Sequence, residues 1–207
     1  LYFLINLFEK INANQNYILN NLLALGEIFE SKNEQYGSLA THYLSFLLKY
    51  RQYKNTFHKS VLLLLAECYL KLNDFENAQK SFSNGLENIM SGQNKLKGTF
   101  DLLISVLTEN IAGDITELGC YNGNTSIMIQ KLLEHFKSAK EFHVYDSFEG
   151  LPELSNQDKG TTFAKGSCST TKDNFIRNFS SLKVKLPFIH QGWFEATLEK
   201  ELPDKVC

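Results

Sequence analysis

The stretch that decides the fold of this 207-residue chain is Ile115-Thr116-Glu117-Leu118-Gly119-Cys120-Tyr121-Asn122-Gly123-Asn124-Thr125-Ser126. It begins as a short apolar strand, continues as a turn with glycines four residues apart, and ends in the first turn of a helix. Glycine suits such a turn because it adopts backbone conformations that other residues avoid. The amides and the dipole at a helix start favour negative charge, so the stretch predicts a ligand-binding turn at the end of a parallel strand.

A second stretch, further along the chain, ends another strand. It consists of Phe142-His143-Val144-Tyr145-Asp146-Ser147-Phe148-Glu149-Gly150-Leu151-Pro152. Asp146 lies at the end of this strand, where doubly wound folds hold the ribose of a nucleoside cofactor. The two stretches together therefore predict a nucleoside-cofactor site.

Helices and strands alternate from residue 96 to the last residue. The pattern predicts helices at 96–111, 124–137 and 170–180, and strands at 115–119, 141–146 and 186–191. Such alternation is typical of βαβ units, whose strands form a parallel sheet. We therefore predict an α/β domain at residues 96–207 with a partial Rossmann-like parallel sheet.

Residues 1–95 follow a different pattern, because they contain no Pro and their apolar residues recur at helical spacing. The clearest unit has two helices separated at Asn73-Asp74, with large, small and aromatic residues at Leu62, Leu65, Ala66, Tyr69, Phe75, Ala78 and Phe82. This order resembles a tetratricopeptide repeat, and a looser copy runs from Leu25 to Leu47. We predict a tetratricopeptide-like helical domain at 1–95 that offers a surface to a protein partner. An ordinary helical hairpin extension is the alternative.

Composition excludes several classes of function. A formal net charge of −2 gives no basic excess for a phosphate backbone, so no nucleic-acid partner is expected. No apolar run approaches the ~20 residues that cross a bilayer, so no membrane association is expected. The four cysteines lie far apart without a C-x-x-C pair, which argues against a zinc site and a disulfide framework and predicts a cytoplasmic protein.

The glycine turn restricts the kind of cofactor. It lacks the third glycine of the G-x-G-x-x-G turn, which holds the pyrophosphate of nicotinamide and flavin cofactors. A cofactor without a pyrophosphate therefore fits better. Glu117 projects from the strand end toward such a ligand, with capping of the helix start as the plainer alternative. Asp146 could instead be a solvated turn residue. Trp193 and Phe194 could form either the wall of the pocket or part of the core.

These segments resemble the macrocin O-methyltransferase (TylF-type) family of class I S-adenosylmethionine-dependent methyltransferases. The resemblance covers about residues 96–207. It rests on Gly113-Asp114-Ile115-Thr116-Glu117-Leu118-Gly119, on Tyr145-Asp146-Ser147-Phe148-Glu149-Gly150-Leu151-Pro152 and on Gly192-Trp193-Phe194-Glu195-Ala196-Thr197-Leu198. It implies the first three strands of a methyltransferase sheet and S-adenosyl-L-methionine as the cofactor.

The resemblance also implies roles for single residues. Glu117, Gly119 and Gly123 line the methionine part of the cofactor, and Asp146 takes the ribose hydroxyls. The other residues expected in the cofactor site are Tyr121, Asn122 and Thr125 in the turn, Ser147 and Phe148 beside the nucleoside, and Gln191, Gly192 and Trp193 beside the adenine.

Metal-dependent members of the family carry an Asp-Gly-Asp type motif at the end of the fourth strand, where magnesium serves the deprotonation of a hydroxyl. Nothing in residues 1–207 matches this motif. The resemblance therefore places the magnesium ligands and the catalytic residues beyond Cys207, and it makes Val206-Cys207 the first step of the fourth strand.

We accordingly expect the sequence to be a fragment, cut at both ends, that is poorly stable and catalytically inactive alone. Strand 115–119 then presents an open apolar edge beside the cofactor turn. Such an edge favours pairing with another chain, including a second copy in a homo-oligomer.

The sequence thus predicts an S-adenosylmethionine-dependent O-methyltransferase that acts on a hydroxyl of a sugar or of a natural-product-like small molecule. The alternative is a non-catalytic nucleoside-binding interaction protein with a tetratricopeptide-like scaffold. A nicotinamide oxidoreductase is a third class, which the absent third glycine disfavours.

Overall fold

A computed structural model describes Tyr36, Tyr43 and residues 56–86, 93–158 and 160–207. The chain divides into two compact units, residues 1–86 and 87–207. The looser repeat copy from Leu25 to Leu47 lies outside the described residues, apart from Tyr36 and Tyr43. The domain limits drawn at residue 95 stay a prediction.

The described part of the first unit contains a helical hairpin of α1 (Thr56–Lys71) and α2 (Phe75–Leu86). The helices separate at Asn73-Asp74 as predicted, and the Asp74 carboxylate accepts the backbone N–H of Asn77 at 3.2 Å, which caps α2. A Cβ on Gly85 would lie 3.1 Å from the Leu62 Cβ, so the end of α2 meets the start of α1 and the helices are antiparallel. The tetratricopeptide identity of this hairpin stays a prediction.

The second unit begins with a helix and then alternates strands and helices. Its elements are α3 (Gln93–Thr108), β1 (Ile115–Leu118), α4 (Asn124–His135), β2 (Phe142–Asp146), a 3₁₀ turn (Asn156–Asp158), α5 (Lys172–Ser181), β3 (Phe188–Gln191) and α6 (Phe194–Glu201). All the helices and strands predicted between residues 96 and 191 are confirmed within a few residues. The sequence analysis missed α6, which is only 8 residues long and therefore shows barely two helical turns of pattern.

The three strands form one sheet in the order β1-β2-β3. Both neighbouring pairs are parallel, with Ile115 opposite Phe142 in the first pair and Asp146 opposite Gln191 in the second. This confirms the predicted parallel sheet. Because parallel strands all end at the same edge, the turns after β1, β2 and β3 lie side by side.

The core of this unit lies between the sheet and its helices. Val144 at the centre of β2 is fully buried, as are Ile127 and Leu132 of α4. Phe175 and Phe179 of α5 are also fully buried, with their ring centroids 4.8 Å apart. Burial of such side chains stabilises the fold by roughly 1.5–3 kcal/mol each, and it fixes the strand ends that carry the site.

The free edge of β1 carries one further pairing. Asp114 and Val206 form a parallel bridge, in which the Asp114 N–H donates to the Lys205 carbonyl and the Cys207 N–H donates to the Asp114 carbonyl. Successive residues of a strand point their amides to opposite sides, so this bridge lies on the side of β1 away from β2. The placement agrees with the expected start of a further strand at Val206-Cys207. The edge expected to be open is therefore covered at Asp114, while Leu118 at its other end is exposed.

Two further observations concern the described residues. None of their helices is both long enough and apolar enough to pass through a membrane. The four cysteines all lie among these residues, and none of them forms a disulfide.

Candidate cofactor site

A cavity of about 440 Å³ opens at the carboxyl ends of the strands in the second unit. Its volume falls within the range of pockets that hold small molecules. Most of the residues predicted for the cofactor site line it: Glu117, Gly119, Tyr121, Asn122, Thr125, Asp146, Ser147, Gly192 and Trp193. The structure therefore brings together the turns after β1, β2 and β3.

The two glycines of the first turn have different surroundings. Both have the left-handed φ that glycine tolerates, +81° at Gly119 and +83° at Gly123. A Cβ on Gly119 would meet no atom within 4 Å, so a ligand can approach the backbone there. A Cβ on Gly123 would lie 2.7 Å from a ring carbon of Phe175. Gly123 is not among the cavity-lining residues, and its lack of a side chain makes room for the Phe175 ring.

Asp146 fixes the shape of the turn with its carboxylate. The Oδ2 atom accepts the backbone N–H groups of Cys120 at 2.9 Å and Tyr121 at 2.8 Å, and the Oδ1 atom accepts the N–H of Phe148 at 2.8 Å. Tyr121 and Phe148 both have positive φ, which costs free energy that these charge-assisted bonds offset. Asp146 is therefore more than a solvated turn residue, because it ties the glycine turn after β1 to the turn after β2.

Glu117 lies in the wall of the cavity, and the pKa of its carboxyl is raised. Burial raises the pKa of its carboxyl to about 7, although the Ser126 hydroxyl donates to Oε2 at 2.5 Å and the Lys95 ammonium favours the ionised form. The N-cap residue of α4 is Gly123, which has no capping side chain, and Glu117 accepts the hydroxyl of Ser126 in the first turn of this helix. Near neutral pH its carboxyl can bind or release a proton in response to a ligand.

Cys120 contributes a neutral thiol. Burial raises its pKa, and the neighbouring Asp146 and Glu117 carboxylates raise it further. A thiol that stays protonated is a poor nucleophile. The cavity therefore offers carboxylates, amides and apolar surface, but no activated cysteine at this position.

Besides Gly123, two residues predicted for the site do not line the cavity. Phe148 is only 7% exposed and its ring packs edge-on against Phe175 at 5.9 Å, so its side chain belongs to the core. Gln191 is exposed at the end of β3 and is not among the cavity-lining residues. The family resemblance gives the position of both residues along the chain, but it does not report which way a side chain points.

Several cavity-lining residues were not predicted. Lys95 comes from α3, Cys168 and Leu151 come from the loop after β2, and Phe194 and Glu195 come from the start of α6. Lys95 precedes the first strand by a whole helix, so no local motif signals it. Phe194 and the predicted Trp193 are 41% and 38% exposed and line the cavity, so they are not core residues.

The loop after β2 is held against itself by backbone bonds. Leu151 N–H donates to the Ser167 carbonyl and Gly166 N–H donates to the Leu151 carbonyl, each at 2.8 Å. Gly150 has a φ of +81°, and a Cβ there would come within 2.6 Å of the carbonyls of Gly166 and Ser167. This close approach explains the glycine and places Leu151 and Pro152 in the cavity wall.

Comparison with known proteins identifies the family of this chain. The chain belongs to the macrocin-O-methyltransferase (TylF) family, whose model matches residues 51–206. The match therefore includes the hairpin of α1 and α2 as well as the unit with the cavity.

Two similar proteins are methyltransferases by name. The 8-demethyl-8-(2,3-dimethoxy-alpha-L-rhamnosyl)-tetracenomycin-C 4'-O-methyltransferase of Streptomyces olivaceus is 35% identical over 66 residues, which are 31% of this chain and 25% of that protein. The solved structure of the O-methyltransferase NovP aligns with 53% of this chain and 49% of its own, at 22% identity and a TM-score of 0.46. The chain thus matches a quarter of the curated relative and about half of the solved structure.

Proposed function

We propose that this protein is an S-adenosylmethionine-dependent O-methyltransferase whose cofactor binds in the cavity at the carboxyl ends of β1 and β2. The observation that carries the proposal is the open turn at Gly119, fixed by the Asp146 carboxylate, in a chain of the macrocin-O-methyltransferase family. When bound, S-adenosyl-L-methionine supplies an activated methyl group. The chain's own residues then bind and orient that cofactor.

The charges of the cavity wall fit the amino-acid end of this cofactor. That end carries an ammonium and a carboxylate, and the wall offers the Glu117 carboxyl and the Lys95 ammonium. Because the pKa of Glu117 is about 7, an approaching ammonium can draw the carboxyl into its ionised form near neutral pH. The backbone of Gly119 leaves space beside these groups.

Asp146 has limited capacity for a ribose. A carboxylate offers about four lone-pair sites, and three are engaged by the amides of Cys120, Tyr121 and Phe148. The fourth site is engaged by the Cys120 thiol, a weak donor that a ribose hydroxyl would replace. We therefore propose that Asp146 binds a single ribose hydroxyl and acts mainly by holding the turn in shape.

The start of α6 supplies apolar surface for the adenine. Trp193 and Phe194 are partly exposed and line the cavity next to Gly192. The Gly192 N–H donates to the Asp146 carbonyl at 3.0 Å, which keeps this turn beside the end of β2. Aromatic side chains at such a place stack readily on a planar base.

For the acceptor we propose a hydroxyl of a sugar or of a related natural product. The name of the Streptomyces olivaceus relative, a 4'-O-methyltransferase of a rhamnosyl tetracenomycin, supports this class. Catalysis would come mainly from alignment of the acceptor oxygen and from its deprotonation. Magnesium remains part of the proposal, although the described residues place no set of three carboxylate, histidine or cysteine ligands at the cavity.

Calorimetric titration tests this function. The chain should bind S-adenosylhomocysteine at one site and should show no heat of binding with NAD⁺. Asp146→Asn should weaken the binding by roughly tenfold, because the variant loses one acceptor and loosens the turn. The matched change Asp173→Asn, at an exposed position of α5, should not weaken it. Binding of NAD⁺ in preference to S-adenosylhomocysteine would overturn the proposal.

A further inference from the structure

A second cluster of ligand-type side chains lies where β1 and β2 begin, at the opposite end of the sheet from the cavity. It consists of Asp114, immediately before β1, and Glu141 and His143 at the start of β2. One ligand atom from each lies within 4.8 Å of the other two. Asp114 is held in place because its Oδ1 atom accepts the Glu141 N–H at 2.8 Å.

The hydrogen bonds that link His143 to His190 and Glu201 bear on the tautomer of His143. His190 Nδ1 contacts the Glu201 carboxylate, and His190 Nε2 is 2.9 Å from His143 Nδ1. An ionised carboxylate only accepts, so the Nδ1 atom of His190 donates to Glu201. In the tautomer with a single proton on that atom, His190 Nε2 accepts and His143 donates from Nδ1. The Nε2 atom of His143 is consequently the one with a free lone pair.

That lone pair is buried and faces carboxylates. His143 is 8% exposed, and within the described parts of the chain its Nε2 atom has no hydrogen-bond partner. The nearest carboxylate oxygen, Oε2 of Glu141, lies 3.5 Å away. A buried lone pair beside two negatively charged groups is unfavourable unless a cation lies between them.

Lys140, which directly precedes Glu141, does not fill this role. The Lys140 ammonium donates to the Gly113 carbonyl at 2.6 Å and to the Ile111 carbonyl. It thereby holds the chain before Asp114 instead of neutralising the two carboxylates. The cluster therefore has the ligands for a cation together with a backbone that is fixed on both sides.

We propose that Asp114, Glu141 and His143 bind one divalent first-row transition-metal ion. One imidazole nitrogen and two carboxylates are better ligands for Mn²⁺ and the adjacent first-row divalent ions than for soft metals that prefer thiolates. The His190–Glu201 pair plays the supporting part usual for metal-bound histidine, because it fixes the tautomer and the ring orientation. Metal–ligand distances of about 2.0–2.2 Å require the ligand atoms to approach within about 4.4 Å. Glu141 is exposed and can supply this movement.

Such an ion would fasten the start of β1 to the start of β2. Asp114 also forms the backbone bridge to Val206, so the ion would stabilise the place where three chain segments meet. This role does not depend on the proposed methyl transfer, because the cluster and the cavity lie at opposite ends of the strands.

Binding of Mn²⁺ to the whole chain tests the proposal, measured as loss of the electron paramagnetic resonance signal of the free ion. The variants are Asp114→Asn, which keeps the acceptor for the Glu141 N–H, and Glu141→Gln on an exposed side chain. Glu153→Gln is the matched control, because Glu153 is exposed and pairs with Lys165 in the loop after β2. We expect one ion per wild-type chain, a loss of affinity of about tenfold or more in both variants, and no change in the control.

The imidazole of His143 gives a second readout. Mn²⁺ should broaden the nuclear magnetic resonance signals of His143 and His190 before those of other histidines in the wild type, and not in Glu141→Gln. Absence of Mn²⁺ uptake at millimolar concentration, or equal uptake by wild type and both variants, would overturn the proposal. Either result would leave a proton on His143 as the cation that faces the carboxylates.

Discussion

Glu117→Gln is the substitution that probes the electrostatics of the cavity most sharply. The wild-type carboxyl has a pKa of about 7 because desolvation in the half-buried cavity wall disfavours its charged form, whereas the ordinary value is 4.5. Glutamine has nearly the same shape and can still accept a hydrogen bond from Ser126, but it cannot ionise. The variant therefore removes the titration and keeps the packing.

The sign of the effect on stability follows from proton linkage. Since the pKa is higher in the folded state, the folded protein binds the proton more tightly than the unfolded chain does. The stabilisation is complete below 4.5 and is lost as the pH rises through about 7. The difference between the two pKa values corresponds to about 3 kcal/mol of unfolding free energy.

Urea unfolding measured across this pH window gives the test. Trp193 is the only tryptophan of the chain, so its fluorescence reports on the unit that contains Glu117. Relative to wild type, Glu117→Gln should gain up to about 3 kcal/mol between about pH 5 and about pH 8, whereas Glu153→Gln should gain nothing. A difference between Glu117→Gln and wild type that stays constant with pH would refute the buried-carboxyl reasoning.

The same residue links the cavity to its proposed ligand. If the ionised Glu117 carboxylate binds the ammonium of the cofactor, the affinity of wild type for S-adenosylhomocysteine should rise as the pH increases through about 7. The affinity of Glu117→Gln should be lower and should lack this rise. Parallel pH profiles for the two proteins would show that Glu117 does not bind the ammonium of the cofactor. That result would leave the stability prediction unchanged.

Three further predictions concern packing and hydrogen bonds. Gly123→Ala should destabilise the protein by more than about 2 kcal/mol, since it adds a clash with Phe175 to the cost of positive φ. Gly119→Ala should cost only about 1 kcal/mol and should mainly weaken cofactor binding. Urea unfolding measures the loss of stability of each variant, and calorimetry measures its cofactor binding. Thr171→Ala should cost about 1 kcal/mol in urea unfolding, because the Thr171 hydroxyl oxygen accepts a backbone N–H at the start of α5. Tyr145→Phe should raise the unfolding rate and cost about 1 kcal/mol, because its hydroxyl donates to the last residue of α6 at 2.6 Å. Equal effects of the two glycine changes, or no effect of the others, would contradict the corresponding contacts.

The sequence predicted the elements that carry a periodic pattern. The hairpin break at Asn73-Asp74 and the strands that end at Leu118 and Asp146 have strong local signals, namely turn residues and runs of apolar residues. Parallel pairing then followed from the alternation of strands and helices. Helix α6 was not predicted because its 8 residues begin directly after a strand and a glycine turn.

The sequence predicted which turns of the backbone form the cavity, but not which side chains line it. Residues in the three turns came together because the strands are parallel, and Glu117 and Asp146 both lie in the wall. The direction of the Phe148 side chain depends on a positive φ, and the presence of Lys95 depends on how α3 packs. Neither quantity leaves a local sequence pattern. The three amide bonds of Asp146 are likewise a tertiary property of two turns.

Hydrogen exchange with and without S-adenosylhomocysteine tests whether the cavity binds this ligand, because it locates the ligand as well as detecting it. We expect slower exchange of backbone amides in residues 117–125 and 146–152, where the turns after β1 and β2 form the cavity wall. We expect no change in the helical hairpin at residues 56–86. Protection confined to that hairpin, or unchanged exchange throughout both turns under saturating ligand, would refute cofactor binding in the cavity.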